Sequence, residues 1–406
     1  MANIMILGAS ALQIPLITQA IESGYKVVLV SPKKSDPGFN YATFPVYCDV
    51  RDIDLILEYA LKYQIVGVLT DQTDIPVRTA AYIAEKLGLP GIGYETACLF
   101  TDKFLMREKC KELGLKSIQY QLVNNLSEAI TFFDSIDGEV IIKPLNNQGS
   151  RGVAKISSIE ELTYKFSYTQ SFSDSVIIEE YINGREFVVE GIAYDYKFEN
   201  LIVGDTYYFD IPDAFSATKR EFPSTAQENT IDNIKSVNSK IITGFGLKQG
   251  ITHSEFIVDE KGEVFLIETA ARGGGAFISS DLIPISTNVN TEEFLINIAT
   301  GIQEEFPKVS YSNKVCCYIA FFLPIGEVVS IDGVDEVRQL DFIHRNSLDT
   351  VYPGLKVEKI QDKSSRVYTT ISADSYQQLQ ERIQFLKNTL EIKVLTQEGI
   401  KGPIWD

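Results

Sequence analysis

Residues 253–275 read HSEFIVDEKGEVFLIETAARGGG. Two runs, 252–258 and 263–268, alternate apolar and polar residues, and Asp259-Glu260-Lys261-Gly262 between them is a turn-forming set. The stretch predicts a β-hairpin. With those four residues as the loop, Val258 pairs with Glu263, Glu255 with Leu266 and His253 with Glu268. Side chains alternate faces along a strand. Phe256, Val258, Phe265 and Ile267 then share one face, suited to a core, while His253, Glu255 and Glu268 share the other. Glu255 and Glu268 become diagonal neighbours, roughly 7–8 Å apart at the backbone. Two carboxylates that close repel unless a cation lies between them, and a hard divalent ion such as Mg²⁺ is the economical answer. Arg272 and three glycines follow at once. The plainer alternative is a hairpin with two solvated acids and a Gly-rich exit turn. Register decides between them, since a three-residue loop would put the acids on opposite faces.

The chain around this hairpin has 406 residues, enough for two or three domains with real cores. A 45% hydrophobic and 23% charged composition is that of a globular protein. The net charge of −18 and a pI near 4.7 argue against nucleic acid or an anionic membrane as partner. A phosphate-bearing ligand would have to be met by a few local cations or a metal. The five cysteines show no CxxC pattern, and with two histidines a His/Cys zinc site is not expected. A reduced, cytoplasmic chain without a signal peptide is the expectation. The longest apolar run, 315–325, contains Pro324 and is too short to span a bilayer.

In chain order, residues 3–7, 26–30, 47–50 and 65–70 read as strands, alternating with helices at 12–23, 53–63 and 75–87. The alternation predicts a parallel sheet with helices on both faces. Ligands of such sheets bind beyond the carboxyl ends of the strands, so Gly8–Ser10 and Asp71 and Asp74 are candidate contacts. The Gly8-Ala9-Ser10 turn is not a dinucleotide fingerprint. Residues 101–113 predict a helix capped by Thr101 with Lys103 in its first turn, a position the helix dipole does not favour for a cation. Residues 140–153, VIIKPLNNQGSRGV, read as a strand carrying Lys143, a loop of small polar residues, and a second strand. Such a loop lets backbone N–H groups approach an anion, although it is no Walker P-loop. Residues 176–192, VIIEEYINGREFVVEGI, form a further strand pair around Asn183-Gly184. Residues 205–224 have no clear period and predict a long functional loop. Helices at 230–244, 291–300 and 376–390 and strands at 314–324, 356–361 and 366–373 complete the pass. Cys316 and Cys317 lie mid-strand and predict buried, inert thiols; His344 predicts a structural or surface role.

Taken in order, TDK at 101–103, IIKP with NNQGSRG, EEYINGREF, HSEF and FLIETAARGGG resemble the ATP-grasp superfamily. The set is most similar to carboxylate–amine ligases of the L-amino-acid-ligase kind, and more distantly to carbamoyl-phosphate-synthetase-like and phosphoribosylglycinamide-synthetase-like chains. The resemblance covers most of the chain. It implies an α/β, or α+β ATP-grasp, fold: an N-terminal parallel-sheet domain over 1–100, a two-part ATP-grasp region over 101–305 with a phosphate lid at about 115–182, and a C-terminal α/β segment over 306–406 completing the last domain.

The resemblance also implies roles. Lys103 and Lys143 would touch the α- and β-phosphates of ATP, with Gly149 and Ser150 folding over them. Glu179 and the backbone of Glu180 and Ile182 would bind adenine between Ile141 and Leu266, and Glu186 the ribose hydroxyls. Glu255 and Glu268 would hold Mg²⁺, or Mn²⁺, and Arg272 would be catalytic, stabilising the transferring phosphoryl group. Many family members place Asn two residues after the second metal acid; here that residue is Ala270, which cannot ligate. The implied reaction joins a small-molecule carboxylate to an amine through an acylphosphate, releasing ADP and phosphate. Phosphoryl transfer to bicarbonate or another acceptor, and a non-catalytic ATP-binding module, remain alternatives. A homodimer is the family-level expectation.

Overall fold

The computed structural model describes residues 1–145, 152–173, 175–211, 215–360 and 366–405. It is a mixed α/β fold built on four sheets. The first holds β1 (Asn3–Leu7), β2 (Lys26–Val30), β3 (Phe44–Val46) and β4 (Ile65–Leu69), all parallel, in the order β3-β2-β1-β4. The expected strand at 47–50 lies just before that stretch, at Phe44–Val46. Cys48 and Val50 are apolar because they are buried in the core behind the sheet, not because they pair in it. Helices Ile14–Glu22 and Thr291–Thr300 pack on one face, and Ile53–Lys62 and Val77–Leu87 on the other.

The second sheet is antiparallel and contains β5 (Tyr120–Val123), β6 (Val140–Pro144), β7 (Ala154–Ile156) and β8 (Val176–Glu180), ordered β5-β8-β6-β7. Val140, Ile142, Val176 and Ile178 meet the helices Leu126–Ser135 and Ile159–Gln170 in one core. Alternation then turns Ile141, Lys143, Ile177 and Glu179 to the opposite face.

The third sheet has eight strands, all antiparallel. It contains β9 (Arg185–Tyr194), β10 (Lys197–Tyr208), β11 (Ala217–Phe222), β12 (Gly250–Val258), β13 (Val264–Ala270) and β14 (Val315–Phe322), followed by strands Arg366–Ala373 and Ile343–Asn346. The order is β13-β12-β9-β10-β11-β14, then the last two. Much of 205–224, expected as a loop, is the ends of β10 and β11. Its charges disguised the strand. Lys219 pairs with Glu221 at 2.8 Å, and Arg220 is paired to Glu255, a partner 35 residues away that no local pattern announces. A fourth sheet, Gly326–Asp332 with Lys356–Val357, Glu391–Thr396 and Gly399–Lys401, packs with helix Tyr376–Thr389. The expected strand at 356–361 is thus only two residues long in the described chain.

No described helix is long and apolar enough to cross a membrane. All five cysteines are free, and burial pushes the Cys316 thiol up to about 12. His344 bonds the Ser372 hydroxyl at 2.8 Å.

Candidate active site

The hairpin forms, with a register unlike the expected one. Val258 pairs with Val264, so the loop has five residues, and Phe256 pairs with Leu266. That register would set Glu255 against Ile267. A bulge at Ile267 shifts the ladder by one residue and brings Glu255 directly opposite Glu268. The two acids therefore face each other more closely than the diagonal expected from a four-residue loop. The apolar faces change accordingly. Phe256 and Val258 share a core with Val264 and Leu266, while Ile257, Phe265 and Ile267 pack with Ile118 and Ile182 on the other side. Leu266, expected as an adenine wall, is 5% exposed within that core. The residue of β13 offered on the acids' side is Ile267.

Helix Lys103–Glu112 feeds cations to this face. Asp102, not Thr101, caps it, accepting from the Phe104 and Leu105 N–H groups at 3.0 and 3.1 Å. Thr101 instead donates to the Ala97 carbonyl at 2.6 Å. Lys103 at the first helical position lies 2.9 Å from Glu268. Burial works against its charge, but Glu268, with Asp74 and Glu179 behind it, outweighs burial and holds its pKa above the ordinary lysine value. One turn on, Arg107 donates to Glu179 at 2.7 Å and to the Ile267 carbonyl at 2.7 Å, tying the helix to the bulge. Lys143 donates to the other Glu179 oxygen at 2.7 Å. Burial alone would raise the Glu179 carboxyl; Arg107 and Lys143 reverse this and hold it down at about 2. Glu179, expected to bind adenine, is therefore the 1% exposed counter-ion of two cations. Beside it, the Glu180 N–H donates to the Gln119 carbonyl at 2.9 Å. Ile182 joins the apolar group of Ile118, Ile257, Phe265 and Ile267. Gly149 and Ser150 lie outside the described residues.

Beyond Glu255 the charges form a chain. Arg220 pairs with Glu255, and its Nη1 lies 3.1 Å from His253 Nε2. His253 Nδ1 lies 2.5 Å from Glu190, whose second oxygen accepts from the Gly274 N–H at 3.1 Å. Burial disfavours the His253 charge, but Glu190 and Glu255 raise its pKa overall. On neighbouring β9, Glu186 accepts from the Tyr208 hydroxyl at 2.5 Å. Burial first, and Glu255 next, push Glu186 up to about 7 against that bond.

The loop after β13 is gripped by the loop after β4. Arg272 donates to both Asp74 oxygens at 2.9 and 2.7 Å. Asp71 accepts from the Gly273 N–H at 2.8 Å, and Gln72 from the Phe277 N–H at 2.9 Å. This approach requires glycine: a Cβ at Gly273 would meet Ser279 Oγ at 2.1 Å, and one at Gly274 would meet Glu190 at 2.6 Å. The structure thus brings Lys103, Glu255, Glu268 and Arg272 to one end of the hairpin, with Lys143, Glu179 and Glu186 beside them. Arg107, Arg220 and Tyr208 belong to the same network and were not singled out in the sequence. Arg107 could have been found as the i+4 neighbour of Lys103 on one helix face; Arg220 and Tyr208 carry no local signal.

Among the described residues no cluster of three or more His, Cys, Asp or Glu is arranged for a metal. Two facing carboxylates nevertheless fit Mg²⁺, which keeps several waters and binds through one or two carboxylates plus substrate phosphates. Ala270, buried opposite His253, offers no third ligand.

Residues 136–281 match the ATP-grasp domain family. Alanine–anticapsin ligase of Bacillus subtilis (strain 168) is 28% identical over 229 residues, 51% of this chain and 48% of that protein. The L-arginine-specific L-amino acid ligase of Bacillus subtilis is 22% identical over 309 residues, covering 72% and 74% of the two chains. The chain spans between 48% and 58% of the length of the alanine–anticapsin ligases it matches. Among solved structures, the L-amino acid ligase from Bacillus licheniformis superposes with a TM-score of 0.83 at 21% identity, covering 97% of this chain and 98% of that one. Phosphoribosylglycinamide synthetase from Anaerococcus prevotii superposes at 0.75 and 20% identity, covering 96% and 99%. The ATP-grasp domain family thus matches residues 136–281 of this chain, and the fold of nearly its whole length is that of the L-amino acid ligase from Bacillus licheniformis.

Proposed function

We propose that the chain is an ATP-dependent, ADP-forming carboxylate–amine ligase acting on small molecules. The observation that carries this reading is the direct opposition of Glu255 and Glu268 with Lys103 on one side and Arg220 on the other. Such a set can receive a triphosphate in a protein whose net charge is −18. The kinds of relative named above support the amine as acceptor.

The reaction runs in two steps. An oxygen of the substrate carboxylate attacks the γ-phosphorus as the bond to the β–γ bridging oxygen breaks, giving an acylphosphate and ADP. The amine nitrogen then attacks the acyl carbon, the C–O bond to phosphate breaks, and the nitrogen loses a proton. Such transfer asks the protein for position and charge, not for covalent chemistry. Lys103 and Lys143 hold phosphate oxygens, each released from its carboxylate partner as the nucleotide enters. Ile182, Ile267 and Ile141 enclose the base, with the Ile182 backbone as its hydrogen-bonding edge. Glu186, its carboxyl pushed up to about 7 in this network, meets the ribose hydroxyls. Mg²⁺ bound at Glu255 and Glu268 would neutralise charge on the β- and γ-phosphates. Arg272, presented by the Gly-rich loop, stabilises the phosphoryl group in transfer. The sheet from β5 to β8 acts as the lid over the phosphates.

The test is a screen of amino-acid pairs, and of bicarbonate, for ATP-dependent phosphate release, with mass detection of the product and hydroxylamine as a trap for acylphosphate. An amide product and an acyl hydroxamate are expected. ADP formed with bicarbonate alone, or tight Mg-ATP binding without ADP from any pair, would overturn the reading.

A further inference from the structure

Glu190 and His253 are buried ionisable groups that the two ligation steps do not use. Glu190 on β9 and His253 on β12 pair directly across the two strands, and Ala270 on β13 pairs with His253 in turn. Glu190 is 0% and His253 5% exposed. Water does not serve this carboxylate, so both of its oxygens need donors from the protein. One accepts from the Gly274 N–H at 3.1 Å, and the other lies 2.5 Å from His253 Nδ1.

The protons along this chain follow from what each group can do. Arginine donates and never accepts. Arg220 Nη1, 3.1 Å from His253 Nε2, therefore makes that nitrogen the acceptor. The ring proton then sits on Nδ1 and is donated to Glu190, whose carboxylate only accepts. Glu255 Oε1, 3.2 Å from His253 Nε2, accepts from Arg220 as well, so imidazole and carboxylate share one guanidinium. Arg220 Nε is buried without a hydrogen-bond partner among the described residues. The guanidinium is thus held from its Nη side, where His253 and Glu255 lie.

We propose that Glu190 is a positioning residue that fixes the Nδ1–H tautomer of His253 and, through the ring, the place of Arg220 beside Glu255. Its other oxygen holds the Gly-rich loop that carries Arg272. One buried carboxylate thereby helps to place both arginines of the site. Its bearing on turnover rests on the ligase reading; the placement of the proton does not.

The two arms of Glu190 answer differently to an amide. The backbone N–H of Gly274 cannot reverse, so in Glu190→Gln the amide oxygen must turn to the loop and the NH₂ to the ring. The ring can reverse: its proton moves to Nε2, and Nδ1 becomes the acceptor. Nε2–H and Arg220 Nη1 are then two donors face to face, and the guanidinium leaves its place.

The chain has two histidines, so nitrogen-15 histidine labelling of the full chain gives two ring systems, assigned with His344→Gln. Ring nitrogen shifts, read without substrate, report the tautomer. Wild type should show Nδ1–H at His253 and Glu190→Gln should show Nε2–H. Nε2–H or a doubly protonated ring in wild type would overturn the proposal, as would an unchanged tautomer in a folded Glu190→Gln protein. In ADP formation Glu190→Gln should lower kcat about 10–100-fold, the scale of losing a partner that orients a functional side chain, with little change in the KM for ATP. Wild-type turnover with the tautomer inverted would remove the positioning role. In an Arg220→Gln background Glu190→Gln should have little further effect, and additive losses would place its action elsewhere. Should Glu190→Gln not fold, His253→Asn takes its place, since it removes the ring and leaves Glu190 on Gly274; its loss too should not add to that of Arg220→Gln, and additivity would again overturn the proposal. Should no amino-acid pair yield ADP, the ligase reading fails, and the tautomers of wild type and Glu190→Gln still decide whether Glu190 sets the ring.

Discussion

At the scale of the residue, the site is a set of charges that neutralise one another. Glu268 is shared between Lys103 and the position expected for Mg²⁺, so its loss removes two roles at once. Glu268→Ala should lower kcat for ADP formation by at least about 10²-fold, the scale of losing one preorganised charge-stabilising group. Near-normal turnover would remove Glu268 from the metal assignment. Glu179 contributes to stability as well. Its folded carboxyl is held at about 2 against an ordinary value of 4.5, so the contribution is complete above that ordinary value and is lost as pH falls toward the folded one. The shift corresponds to a few kcal/mol, on the order of 3. Urea denaturation of wild type between pH 7 and pH 3 should show a fall in stability that Glu179→Gln lacks. Equal slopes in the two proteins would refute the ion-pair account. Arg107→Met strands the same carboxylate with one cation and should cost about 3–5 kcal/mol, whereas replacing both partners by apolar residues should cost much less.

At the scale of the element, two local devices set the geometry. The first is the cap on the helix that begins with Lys103. Asp102→Ala removes the acceptor for two N–H groups and should cost about 0.5–2 kcal/mol of stability. Because Lys103 is the next residue, the same change should raise the KM for ATP more than it lowers kcat. A stability loss with an unaltered KM would separate the cap from the site. The second is the bulge at Ile267. It corrects a register that would otherwise set an isoleucine against Glu255, and its carbonyl is held by Arg107. The Gly-rich loop beyond it works by close approach. Gly274→Ala would place a Cβ 2.6 Å from Glu190 and 2.9 Å from Ile278, and the overpacking should cost about 1–3 kcal/mol. It should also lower turnover by displacing Arg272. Thermal unfolding and kcat, measured on the same preparation, check both.

At the scale of the whole molecule, the site lies where three sheets meet. The loop after β4 brings Asp71, Gln72 and Asp74, the second sheet brings Lys143 and Glu179, and the large sheet brings the paired acids. Binding that engages all three should stabilise the fold as a unit. Mg-ATP or a non-hydrolysable analogue at 100 times its Kd should add about 2.7 kcal/mol to unfolding stability. That rise in Tm should be lost in Lys143→Ala. A rise that persists in that variant would place the nucleotide elsewhere.

Much of this was legible in the chain, because some signals are local. The βα alternation over the first ninety-odd residues, the strands around Lys143 and the hairpin at 253–275 follow from periodicity and turn chemistry acting over a few residues. The ordered motifs then pointed to the superfamily. Where charged residues misled, the cause was a partner far along the chain. The charges of β11 read as a loop because Glu255, which makes Arg220 tolerable in a strand, lies 35 residues away. Arg107 was not singled out because Glu179 is 72 residues away. The hairpin shows the division within a single motif. Composition and alternation alone placed Glu255 and Glu268 on neighbouring strands. Whether they share a face turned on one extra residue. That residue, the bulge at Ile267, is held by a contact with Arg107 that exists only after the helix Lys103–Glu112 has docked.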